Sequence, residues 1–495
     1  MSKAIINANR SRGVINRNIY GHFAEHLGRC IYGGLYAGGQ SGIPSENGMR
    51  PDVVRALRAM GVPVLRWPGG CFADTYHWRD GVGPRHTRRK IVNTNWGGVT
   101  EDNSFGTHEF LELCRQLECE PYISGNVGSG TVQEFSDWVE YCNMGGLSPM
   151  ADLRRANGRE DPWHVRYWGI GNEAWGCGGN MRPEFYADLC RQYATYLRSY
   201  DSAHPLCRIA SGANADDYHW TKVLMERAGE FVDAVSMHYY TVPGDWTHKG
   251  SATEFDRGAY FTTLQKALRL DELIENHTRI IRQYQGGRRV GLVVDEWGTW
   301  FDVEPGTNPG FLYQQNTMRD ALVAAVSLNI FNNHCDSVVM ANIAQIVNVL
   351  QAVILTEGDR MLLTPTYHVF EMYRKHQDAR QLESYVETSL IGETEEGRVP
   401  NLHISASQGP DGTVLITAAN LDDAQGAVLD CSLAGMGRVE SVAGRVLSGG
   451  ANAHNTFEAP ETVRPVPLEN IEQTADGFKV ALPSCCVAAF EVRPG

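Results

Sequence analysis

The 495-residue chain has no run approaching the ~18 consecutive apolar residues of a membrane-spanning helix. Its opening residues, Met1-Ser2-Lys3-Ala4-Ile5-Ile6-Asn7, lack an apolar core followed by a small-residue cleavage site, so a cytoplasmic protein is expected. Basic residues are in deficit, with 44 Lys and Arg against 58 Asp and Glu. A formal net charge of -14 argues against nucleic acid or a membrane surface as partner, because both call for a basic face. The 12 cysteines include no C-x-x-C pair and no zinc spacing, and they read as reduced, buried thiols, Cys485-Cys486 among them. Repeats and low-complexity segments are lacking too. What is present, 42% hydrophobic and 21% charged residues, describes a folded protein too long for one ordinary core.

The organising stretch is Tyr167-Trp168-Gly169-Ile170-Gly171-Asn172-Glu173-Ala174-Trp175, an apolar run that closes on a carboxylate. Val290-Gly291-Leu292-Val293-Val294-Asp295-Glu296-Trp297-Gly298 repeats the pattern. Both belong to a set of eight strand-like runs: 19–25, 64–67, 121–126, 165–173, 208–214, 232–240, 290–296 and 337–345. Helical patterns lie between them at 51–60, 108–117, 132–142, 183–200, 218–228, 262–284 and 313–332. Such alternation calls for parallel pairing, and eight units fit a closed (β/α)8 TIM barrel. An open doubly wound sheet would want a Gly-rich phosphate turn after its first strand, and Tyr20-Gly21-His22-Phe23-Ala24-Glu25-His26 has no G-x-G-x-x-G. Beyond about residue 375 short alternating runs replace helical periodicity, at 401–407, 413–419, 427–433 and 478–483, with Asp411-Gly412 as a hairpin turn. The expected domains are therefore a barrel over 17–374 and a C-terminal β-sandwich over 375–495, with the strand in 1–16 joining the sandwich.

In a parallel barrel the working groups stand at the carboxyl ends of the strands. That places Glu173 at the end of the fourth strand and Glu296 at the end of the seventh, each followed by a Trp suited to stack on a sugar. Two opposed carboxylates are what glycoside hydrolysis uses, one as proton donor and one as nucleophile or base. A lone Glu at a strand end is as readily a salt bridge or a helix cap; the matched pair is what favours chemistry. Arg66-Trp67-Pro68-Gly69-Gly70, Ser124-Gly125-Asn126, Ser236 to Tyr240 and Asn342 to Gln345 add polar groups to the same rim, suited to a hydroxyl-rich ligand. His22-x-x-x-His26 lacks the Glu of H-E-x-x-H, so no metal is expected there. The basic run Arg85 to Lys90 reads as a solvated loop or a subunit contact.

Five ordered blocks resemble family 51 glycoside hydrolases, the intracellular α-L-arabinofuranosidases: Tyr20 to Gly28, Arg66 to Gly70, Gly171-Asn172-Glu173, Asp295-Glu296-Trp297 and Ala344 to Asn348. The resemblance implies a retaining, exo-acting enzyme that needs no cofactor and releases terminal arabinofuranose, with Glu173 as acid/base and Glu296 as nucleophile. It further implies that Asn172, Tyr240, Glu25, Trp300 and Gln345 bind the sugar or orient Glu296, that Arg66 supports them, and that the chain forms a homo-oligomer, often a hexamer. Cys71 stands where the best-studied relatives carry Asn, so one sugar contact is missing, weaker or supplied by another group. An endo-acting β-glucanase or xylanase of the same clan is the competing enzyme, and a non-catalytic carbohydrate-binding barrel the competing class.

Overall fold

A computed structural model describes residues 2–39, 42–395 and 397–494. Eight parallel strands close a barrel in chain order: Gly21–Phe23, Val64–Trp67, Glu120–Gly125, Tyr167–Ile170, Cys207–Asn214, Ala234–Thr241, Gly291–Thr299 and Val338–Ala344. The eighth pairs with the first through Asn342, Ile343 and Ala344 opposite Gly21, His22 and Phe23. Inside, Val64, Tyr122, Ile209, Ala234, Val293 and Met340 fill one end as a compact layer. The barrel is thus a packed core, not a pore, and only its carboxyl end is left for a site.

Two strands are shorter than the apolar runs suggest. Ile19 and Tyr20 belong to a 3-10 turn, Arg17–Tyr20, because the Asn16 side chain accepts from the Asn18 N–H and starts a turn. The fourth strand stops at Ile170, since Gly171 (φ 79°) and Glu173 (φ 41°) leave the extended region. The pattern at 262–284 is two helices, Arg257–Leu268 and Leu270–Tyr284, parted at Arg269, whose N–H bonds back to Lys266 in a tightened turn. Two short helices, Pro149–Ala156 and Pro365–Tyr373, were not anticipated. Each begins with Pro at its first position behind a Ser148 or Thr364 cap.

Nine C-terminal strands and the first strand of the chain form one ten-stranded sheet folded around a single core that includes Ile6, Leu402, Ile404, Ala406, Phe478 and Phe490, while Leu390–Thr394 and Gly397–Pro400 pair apart from it. The first strand, Ser2–Asn7, lies inside it, antiparallel to Arg380–Glu387 and parallel to Ala427–Ala434. The Asp411-Gly412 turn does join Leu402–Gln408 to Val414–Asn420.

Helix Met318–Asn333 is buried all round because it is sandwiched between barrel and sheet. Its Asn329 and Asn332 side chains bond His403, Ser405 and Thr417 of the sheet, which satisfies the polar groups that this double burial traps.

Candidate active site

The seventh strand supplies two acids in succession. Strict alternation would send Asp295 and Glu296 to opposite faces, but the ladder slips on both sides of the strand, between Val293 and Glu296 and between Val294 and Trp297. Both carboxylates are consequently buried among barrel residues. Glu296 accepts from Arg66 Nη1 at 2.9 Å and from the Tyr240 hydroxyl at 2.7 Å. Asp295 accepts from the Tyr122 hydroxyl at 2.7 Å; burial opposes its charge, yet Arg66 and His238 hold its pKa down at about 2.

Arg66, at the end of the second strand, ties these groups together. Besides Glu296 it donates to Asn172 Oδ1 at 2.6 Å, to the Asp295 carbonyl at 3.1 Å and to Ser124 Oγ at 3.2 Å. Its guanidinium also lies 4.6 Å over the Phe23 ring, so a buried cation meets both carboxylate charge and an aromatic face.

Glu173 sits on a loop that a third acid shapes. Asp74 accepts from the backbone N–H groups of Val127, Gly128 and Asn172, at 2.8 to 2.9 Å, which fastens the loops after the third and fourth strands. Gly178 completes the turn: a Cβ there would stand 1.9 Å from the Asn172 carbonyl oxygen. Glu173 Oε1 lies 2.9 Å from His238 Nδ1, while His238 Nε2 faces Asp295 Oδ1 at 3.1 Å. Burial works against a charged ring, but Glu296, Asp295 and Glu173 outweigh it and lift the His238 pKa to about 10. Burial likewise raises the pKa of Glu173; Glu296 adds to the rise and His238 opposes it. One oxygen each of Glu173 and Glu296 and a nitrogen of His238 lie within 4.8 Å of one another. Such a trio has the makings of a metal site, but a protonated imidazole already provides the cation between the acids.

Around this centre the loop after the first strand contributes Glu25, which accepts from Phe72 N–H, Trp96 Nε1 and Gln345 Nε2 at 2.8 to 3.0 Å. Burial, followed by the Glu296 charge, raises its pKa to about 7. Gly69 and Gly70 permit the approach, since a Cβ on Gly70 would come within 2.7 Å of the carboxylate. Gln345 keeps a buried Oε1 with no partner among the described residues. Trp300 stands edge-on to Tyr240 at 4.9 Å and to the exposed Trp246 at 5.4 Å, forming an aromatic wall. A cavity of about 310 Å³ opens beside it, lined by Tyr239, Tyr240 and Trp246. A larger one of about 920 Å³, between the N-terminal segment and helix Leu270–Tyr284, is lined by none of these residues.

Cys71 is not the thiol that the sequence suggested. It is bonded to Cys177, 106 residues away, with the Cα atoms 5.4 Å apart. The bridge joins the loop after the second strand to the loop carrying Glu173, and the Cys177 sulfur lies 3.4 Å from Glu173 Oε2. As a half-cystine this sulfur has no hydrogen to donate. The other ten cysteines are free, and most are buried. The two histidines weighed as metal ligands turn to different partners: His26 bonds Glu101 and Trp67, while His22 packs on Phe370. Arg85 and Arg88 of the basic run pair with Glu109 of their own chain.

All the site residues expected from the sequence therefore gather at one end of the barrel. Asp74, Trp96, Tyr122 and Cys177 join them without having been singled out, and so do His238 and Asp295, which the sequence offered only inside the run Ser236 to Tyr240 and the block Asp295-Glu296-Trp297, with no role of their own. A closed parallel barrel that holds two carboxylates a few ångströms apart beneath an aromatic wall defines a glycoside hydrolase. Residues 56–257 match the α-L-arabinofuranosidase 1 domain and residues 295–485 the α-L-arabinofuranosidase C-terminal domain. The chain is 50% identical over 489 residues to an intracellular exo-α-L-arabinofuranosidase of Bacteroides ovatus, covering 99% of this chain and 95% of that protein. The crystal structure of the GH51 arabinofuranosidase from Xanthomonas axonopodis pv. citri superposes with a TM-score of 0.97 at 46% identity, covering 99% of both chains. That of the Thermotoga maritima α-L-arabinofuranosidase arabinose complex gives 0.84 at 32% identity, again covering 99% of both. The chain belongs to glycoside hydrolase family 51, the α-L-arabinofuranosidases.

Proposed function

We propose that this enzyme removes terminal α-L-arabinofuranosyl residues by double displacement, with Glu296 as nucleophile and Glu173 as general acid/base. The observation that carries the reading is the proximity of the two carboxylates, whose nearest paired oxygens lie within 4.8 Å. Retaining glycosidases hold their carboxyl groups about 5 to 5.5 Å apart, whereas inverting ones leave wider room for a water. Glu296, aimed by Tyr240 and Arg66, attacks the anomeric carbon while Glu173 delivers its proton to the departing oxygen.

The Glu173 environment supports both halves of the cycle. Burial and the Glu296 charge favour its protonated form at the start. Once Glu296 is esterified its charge is gone, while His238 and Arg66 still favour the carboxylate. The pKa of Glu173 then falls, and it can take a proton from the attacking water.

In this reading Asn172, held by Arg66, bonds the sugar 2-hydroxyl, and the unpartnered Gln345 Oε1 accepts from another hydroxyl. Glu25 and Trp300 complete the furanose pocket in this reading. The name of the Bacteroides ovatus relative supports exo action and an intracellular setting, and no described helix is long and apolar enough to cross a membrane. A homo-oligomer, as the family resemblance implies, is the proposed assembly, to be checked by light scattering.

The test pairs a substrate panel with chemical rescue. Para-nitrophenyl glycosides followed by linear and branched arabinan should show arabinofuranoside cleavage with monosaccharide as the initial product. Glu296→Ala should lose turnover and, with azide, yield the glycosyl azide of inverted configuration. Wild-type rates in that variant, or oligosaccharides as the initial arabinan products, would overturn the corresponding assignment.

A further inference from the structure

We propose that the Cys71–Cys177 pair, once reduced, forms with Glu173 a binding site for one soft divalent cation of the zinc class. Two sulfurs and a Glu173 carboxylate oxygen all lie within 4.8 Å of one another. The Cys177 sulfur is 3.4 Å from Glu173 Oε2, close to the ~3.6 Å that separates sulfur and oxygen ligands around a tetrahedral zinc with bonds of about 2.3 and 2.1 Å. With the bond open, the sulfurs need only swing to about 3.8 Å, the tetrahedral spacing of two thiolates on zinc. The Cα atoms, 5.4 Å apart, leave room for that rotation without moving the backbone.

The remaining features suit a ligand set. Glu173 Oε1 stays with His238, so one carboxylate oxygen is held from behind while the other faces the ion, the arrangement that steadies a metal-bound carboxylate. Cys177 is exposed, which gives the ion a path of entry. Thiolates select zinc, cadmium and similar ions over magnesium and calcium.

The chemistry balances with a dithiol as reductant. Two electrons and two protons pass to the bridge, giving two protein thiols, while the reductant closes to its own cyclic disulfide. Metal binding then expels those two protons, and the ion bonds to two thiolates and Oε2. Bridges of this kind are not favoured in a reducing compartment, so the ligand set would be available there. Resting on the assignment of Glu173 as acid/base, the same event stops catalysis, because a carboxylate bound to metal cannot deliver a proton.

The full-length chain, oxidised or reduced with dithiothreitol and then freed of it anaerobically, is titrated with cadmium chloride. Thiol count, ultraviolet thiolate-to-cadmium absorption and arabinofuranoside hydrolysis are followed together. Reduction should add two thiols; the reduced chain should then gain the absorption with one equivalent of cadmium and lose at least 10-fold in rate, with recovery on adding chelator. The oxidised chain, and a C71S/C177S variant that keeps the ten other cysteines, should show no such absorption. If that variant does not fold, the oxidised chain alone provides the control. Absorption that persists in either control, fails to appear in the reduced chain, or a thiol count that does not rise overturns the proposal. Stoichiometric absorption without inhibition is resolved by titrating a reduced Glu173→Gln variant: weaker cadmium binding there keeps Glu173 in the ligand set and counts against it as acid/base, whereas unchanged binding overturns the proposed site.

Discussion

Replacing His238 with Asn removes the cation that touches Glu173 and Asp295 while leaving a polar side chain of moderate size. At 2.9 Å and an effective dielectric near 20, the pair of unit charges is worth about 6 kcal/mol before burial of the ring is subtracted. Opposite charges this close shift a carboxyl pKa by about 1 to 3 units after that offset. The imidazolium holds the Glu173 pKa down against burial, so its loss should raise that pKa. Because the proposed acid role requires Glu173 to be protonated in the free enzyme, the alkaline limb of kcat/KM should move to higher pH. The assay is the pH dependence of kcat/KM on an aryl arabinofuranoside with a poor leaving group, with circular dichroism to verify the fold. A limb that stays in place or moves to lower pH would falsify the idea that His238 is a protonated ring opposing the protonation of Glu173.

Tyr240→Phe removes a 2.7 Å bond to the Glu296 carboxylate, of a kind worth about 1.5 to 3 kcal/mol, so a fall in kcat of about 10- to 100-fold is expected with little change in Tm. For Glu173→Ala, an activated aryl arabinofuranoside should lose far less glycosylation rate than a natural substrate, and equal losses would argue against the acid role. Gly178→Ala should lower both Tm and kcat, because its Cβ meets the Asn172 carbonyl; Gly412→Ala, at φ 84° in open space, should cost only about 1 kcal/mol and leave kcat unchanged. Glu25 has a folded pKa of about 7, above its ordinary 4.5, so the folded state holds its proton more tightly. Its contribution is present below pH 4.5 and lost as pH rises to about 7; urea unfolding should show wild type losing up to ~3 kcal/mol relative to Glu25→Gln across that window.

The barrel was legible because each of its eight strands is an apolar run between turn residues, and Glu173 and Glu296 were legible because each run ends in an acid. Asp295 was visible beside Glu296, but its place in the site was hidden by the rule of alternation, which puts neighbours on opposite faces; the slipped ladder at this point breaks that rule. His238 lay in a run already read as part of the rim, but its role depends on partners at 173, 295 and 296 that only barrel closure brings together. The bridge was missed because scattered cysteines carry no spacing signal when their loops meet only in space. By contrast, the Ser148-Pro149 and Thr364-Pro365 helix starts were present in the sequence, and only the shortness of the helices behind them concealed their meaning.

The position of strand Ser2–Asn7 has a consequence for synthesis. Its neighbours on either side, Arg380–Glu387 and Ala427–Ala434, are made more than 370 residues later, so this strand must stay unpaired while the whole barrel emerges. Trimming it would open a gap in the middle of a sheet instead of shortening an edge. A bulky fusion at the front of the chain would likewise press on an interior strand, and its cost should appear as slow or incomplete maturation of the C-terminal sheet before any effect on the carboxylates.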